Sequence, residues 1–124
     1  MITATSPLDG TILKRIRPCL SVFRLHDLRP IMKRSMNAQL RIDMAEAQSE
    51  SPALLEPLSD IRLTCWVGGA ERAEFVRQNA LLANIWTGLG AATEVVIEPD
   101  RNHYTVLDGL TDVSHPLTRA LLAD

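Results

Sequence analysis

Residues 61–99 run IRLTCWVGGAERAEFVRQNALLANIWTGLGAATEVVIEP. The opening residues, 61–67, are nearly all apolar or β-favouring and stop at Gly68-Gly69. A short run of that kind predicts a central parallel strand covered on both faces. Phe75, Leu82, Trp86 and Leu89 then recur at spacings of seven, four and three, and Leu81 and Ile85 widen the stripe. That period predicts an amphipathic helix over about 73–87, with Trp86 and Phe75 as core residues. Gly88 and Gly90 stand where such a helix should stop. TEVVIEP, 93–99, returns as a strand closed by Pro99. Strand, helix, strand is a βαβ unit, whose crossover is right-handed.

Upstream, PCLSVF at 18–23 is a further short apolar run and supplies a third strand. Asp27 is placed to cap a helix running to about Gln39, with Pro30 in its first turn. Asp43 and Glu46 form a capping-box-like pair that opens a second, short helix. Pro52 and Pro57 bracket a loop. Downstream, the loop DRNHY at 100–104 leads to a last amphipathic helix over 116–122. Residues 1–11 are rich in Thr, Ser, Pro and Gly and read as a flexible lead-in, leaving 12–124 as the domain portion. The fold class is therefore α/β, with about three parallel strands and flanking helices. A parallel sheet so small leaves an apolar edge uncovered, and self-association through that edge is expected.

The chain has 124 residues, 46% hydrophobic and 23% charged, with a formal charge of −2. That balance suits one globular domain and supplies no basic stripe for nucleic acid. Lys14, Arg15, Arg17, Arg24, Arg29, Lys33 and Arg34 carry no interleaved aromatics and read as a solvated face. No apolar run approaches the roughly 20 residues that span a bilayer, and the N-terminus has no signal-peptide order, so a cytoplasmic location and no membrane partner are expected. Cys19 and Cys65 lie in apolar runs and are expected to be reduced core thiols. His26, His103 and His115 lack metal-ligand spacing, so neither metal nor cofactor is expected. His26 and His115 read as structural.

Chemistry concentrates at two positions. Glu71 follows the first strand of the βαβ unit and His103 follows the second, so both fall at the C-terminal edge of the sheet, where the loops of neighbouring strands converge. Asp100 and Asp108 compete as partners, but Asp100 shares the short loop of His103 and Asp108 begins the next segment.

The run GGAERAEFVRQ, the later NHY, LTDVSHPLTRAL, and upstream LHDLRPI with SMNAQLRIDMAEAQSESP resemble the C-terminal half of the α/β-hydrolases grouped with arylformamidase (kynurenine formamidase) and related esterases. The resemblance covers roughly residue 17 to the C-terminus. It implies a partial α/β-hydrolase fold whose N-terminal half is missing, with Glu71 as triad acid and His103 as triad histidine. Tyr104 stands where the family has phenylalanine, and Phe23-Arg24 where it has Ser-Gly. The family's G-x-S-x-G elbow is absent: none of Ser6, Ser21, Ser35, Ser49, Ser51 and Ser59 has flanking glycines. The resemblance therefore implies a catalytic-triad fragment of a serine hydrolase, acting on a small ester or amide when complemented by an N-terminal half and inactive alone. The alternative is a non-catalytic α/β interaction module derived from a degenerate hydrolase.

Overall fold

The computed structural model describes residues 18–122, so the lead-in at 1–11 and the basic residues 14, 15 and 17 lie outside the described residues. Three strands form one sheet in the order β1 (Pro18–Val22), β2 (Arg62–Gly68), β3 (Ala92–Glu98). Both pairings are parallel: Pro18 lies beside Arg62 and Val22 beside Trp66, while Arg62 lies beside Ala92 and Gly68 beside Glu98. The α/β class and the parallel sheet are as the sequence predicts.

The alternation of side chains along β2 sorts the core into two layers. Leu63 and Cys65 pack with Ile61, Leu82, Ala83 and Trp86 on one face. Trp66 packs with Val106 and Leu117 on the other, backed by Leu20, Val22, Phe23 and Val96. The first layer is covered by a helix, Ala73–Gly88, and the second by Pro116–Leu122 and the 3-10 segment Thr105–Thr111. Trp86 is fully buried, and its indole Nε1 donates to the carbonyls of Pro52 and Leu55, both at 3.1 Å. That pairing satisfies the indole and anchors the 52–55 turn to the helix. Cys65 is buried and Cys19 half-buried, both as free thiols, and burial pushes the Cys65 thiol up to about 12.

Between β1 and β2 the structure departs from the sequence reading. The single helix expected up to Gln39 is a 3-10 turn, Ile31–Lys33, and a separate four-residue helix α1, Asn37–Leu40. Arg34 is extended, at ψ 155°, and ends the first turn. Arg41 sits in the left-handed region at φ 55°, while Asn37 bonds both the N–H and the carbonyl of Ile42 and folds the chain back. Asp27 caps no helix. One of its oxygens accepts from the backbone N–H of Arg29, and both accept from the Arg29 guanidinium. The next helix, α2 (Met44–Ser49), does have its expected cap, with Asp43 Oδ1 accepting from Glu46 N–H at 2.9 Å. The Ala73–Gly88 helix is α3 and Pro116–Leu122 is α4. α3 runs through Gly88, and Gly90 at φ 92° turns the chain into β3. No helix among the described residues is long and apolar enough to cross a membrane.

Candidate acid-histidine site

Two backbone hydrogen bonds lock the loop after β2 to the end of β3 and the loop that follows it, and a third closes a turn within the first loop. Gly69 N–H donates to the Glu98 carbonyl at 2.7 Å, Ala70 N–H to the Arg101 carbonyl at 2.9 Å, and Glu71 N–H to Gly68 at 3.2 Å. Gly68 permits this approach, because a Cβ there would stand 2.1 Å from the Arg101 carbonyl oxygen. The histidine loop is fixed from its other side by Asn102. Its Oδ1 accepts from the N–H groups of Tyr104 and Thr105, and its own N–H donates to Thr105 Oγ1. The Asn-His pair thus starts the Thr105–Thr111 segment and holds His103 in place.

The result is a direct contact between the two candidate residues: His103 Nδ1 lies 3.0 Å from Glu71 Oε1. The Glu71 side chain is 4% exposed and that of His103 is 42% exposed. A carboxylate accepts, so Nδ1 carries the donated proton, and it is the Nε2 of the neutral tautomer that holds the lone pair. Among the described residues Nε2 has no hydrogen-bond partner.

The competing acids are elsewhere. Asp108 lies 3.6 Å from Arg101, and Asp100 occupies a left-handed turn position at φ 59°. His115 packs near Trp66 and lies 3.4 Å from Glu98, whose other oxygen accepts from Trp66 Nε1. His26 is fully buried behind β1, with Nε2 3.3 Å from Ser21 Oγ. Among the described residues no group of three or more acids, histidines or cysteines is placed to hold a metal.

Three aromatic residues around the imidazole were not visible as site residues in the sequence. The Phe23 ring centroid lies 4.3 Å from that of His103, Phe75 lies at 5.5 Å and Tyr104 at 5.6 Å. Phe75, expected in the core, is half-buried and belongs to the site as well as to the α3 stripe. Phe23 holds its position at φ 41°, a left-handed conformation that is costly for a bulky side chain. The one sequence signal for it was the bulky pair Phe23-Arg24 in place of Ser-Gly.

No protein-family model and no curated protein matches the chain. Among solved structures it is similar to the crystal structure of a putative thioesterase from Silicibacter sp. TM1040, at 33% identity and a TM-score of 0.84 over 94% of this chain. The chain spans 42% of the length of that one. This finding corrects the assignment to the arylformamidase group of α/β-hydrolases, together with the serine-hydrolase triad fragment acting on esters or amides. Nor does it favour the non-catalytic interaction module. Short motifs such as GGAER and NHY report where two strand ends bring an acid and a histidine together, an arrangement that different hydrolytic chemistries share. The structure upholds the α/β class with its three parallel strands, and the comparisons do not extend this to the α/β-hydrolase fold itself.

Proposed function

We propose that the chain carries the base and its orienting acid for hydrolysis of a thioester. The observation that carries this reading is the 3.0 Å contact between His103 Nδ1 and the buried Glu71 carboxylate at the C-terminal edge of the sheet. The similarity to a putative thioesterase supports the choice of bond. In the proposed reaction His103 Nε2 takes a proton from an attacking water as the new C–O bond forms at the thioester carbonyl. Glu71 holds the imidazole in the tautomer that can accept this proton and stabilises the imidazolium that results. The C–S bond then breaks, and the imidazolium returns the proton to the departing thiolate, giving a carboxylic acid and a thiol. A thiol leaving group, with a pKa of about 8.5, needs far less protonation than an alkoxide or amide nitrogen. One positioned base with its carboxylate therefore suits a thioester better than an ester or amide.

The test is release of free thiol from an S-acyl substrate by the purified chain and by His103→Ala. The reading expects a loss of about 10² to 10⁴-fold in the variant. Thiol release at the uncatalysed rate, or a rate indifferent to His103→Ala, would overturn it.

A further inference from the structure

Phe75 borders a second environment besides His103. A cavity of about 540 Å³ opens between the loop after β1 and the first turn of α3, with Leu25, Ile31, Met36 and Phe75 as apolar walls and Arg34, Arg72 and Glu74 as charged ones. Its volume is within the range of small-molecule sites. The charges on its wall do not cancel. Both Glu74 oxygens accept from Arg77, at 2.8 and 2.7 Å, and one also accepts from Gln78, so Arg77 already answers this carboxylate. Arg34 and Arg72 have no carboxylate within ion-pair distance among the described residues. An apolar chamber whose wall carries two guanidinium groups against one carboxylate, itself paired with Arg77 and also within the field of Arg34, has an excess of positive charge and is complementary to an amphiphilic anion. The chamber also reaches the candidate pair twice: the Phe75 ring stands 5.5 Å from that of His103, and Arg72 directly follows Glu71.

We propose that this cavity binds carboxylic acids with an apolar tail, the acyl product of thioester cleavage once it has left His103, with the carboxylate on Arg34 and Arg72 and the tail on Leu25, Ile31, Met36 and Phe75. The proposal rests on the thioester reading for its place in the reaction, while the binding itself can be read without turnover.

The experiment is calorimetric titration of the full chain with octanoate, with acetate and octanol as controls, repeated for Arg34→Gln, Arg72→Gln, the double variant and His103→Ala. Both arginines are exposed, so their loss leaves the core intact. Octanoate should bind more tightly than either control, and each glutamine substitution should weaken it by about fivefold. His103→Ala should leave the octanoate affinity within about twofold, since the imidazole lies beyond Phe75. Octanol binding as well as octanoate, or octanoate binding unchanged in the double variant, would overturn the proposal. Octanoate bound through the arginines by a chain that cleaves no thioester would sink the catalytic reading alone. Thioester cleavage dependent on His103 without octanoate binding would sink this inference alone.

Discussion

His103 and His26 show how differently one chain can place the same side chain. The first is half-exposed and in contact with a carboxylate. The second is fully buried, its Nδ1 has no hydrogen-bond partner among the described residues, and its backbone N–H is tied to Gln78 Oε1 at 2.8 Å. Burial lowers the His26 imidazole from 6.5 to about 4; the Asn79 side chain opposes that in part, and Arg24 adds a smaller downward push. The folded state thus keeps His26 neutral where the unfolded chain would protonate it. Between about pH 6.5 and pH 4 the unfolded state binds the extra proton, so stability rises with pH and is lost as pH falls. The full effect is on the order of 3 kcal/mol. Urea unfolding at pH 7 and pH 4.5 should show this slope in the native chain and a much flatter one in His26→Leu. Equal slopes would remove His26 from the account. Glu74, held down at about 2 chiefly by Arg77, adds its own acid sensitivity from about pH 4.5 downward, and Asp27, lowered chiefly by Arg29, adds its own below about pH 3.8.

Among the elements, β2, α3 and β3 were legible because their periods are unambiguous: a continuous apolar run, a helical stripe, and a second run closed by Pro99. The position of Glu71 and His103 followed from the same pattern, since loops after neighbouring parallel strands share one edge. The segment from Asp27 to Gln39 was not legible. Its helical propensity yields to long-range bonds from Gln78, which accepts from the N–H groups of His26 and Asp27 and donates to the Asp27 carbonyl. Contacts spanning some fifty residues leave no local trace, and neither does Phe23, whose left-handed backbone is set by what it packs against. The join between β2 and the histidine loop is the most sensitive point at this scale. Gly68→Ala would place its Cβ 2.1 Å from the Arg101 carbonyl, so the 101–103 loop must move. We expect a loss of about 2 kcal/mol or more in denaturant unfolding, together with a large drop in His103-dependent activity. A fully stable and active Gly68→Ala chain would show that the loop is not locked as described.

Taken as a whole, the described molecule has a sheet with two unpaired sides, since β1 and β3 each pair only with β2. On β3, Val95 and Ile97 are 38% and 50% exposed. Such edges pair readily with other chains, and sedimentation velocity at low micromolar concentration should show concentration-dependent association. A single monomeric species across the range would mean that the edges are covered. The motif resemblance led to the contact between the acid and the histidine, while its assignment to a serine hydrolase is corrected by the similarity to a putative thioesterase, because strand-end geometry can orient a base without selecting the leaving group. The central claim is that Glu71 and His103 act as one unit on a thioester, and the most direct measurement is kcat/KM for S-acyl hydrolysis in the native chain, Glu71→Gln, His103→Ala and the double variant. The account predicts a loss of at least about tenfold in Glu71→Gln, a larger loss in His103→Ala, and a double variant no worse than His103→Ala. Losses that simply multiply in the double variant, or a Glu71→Gln chain as active as the native one, would contradict it.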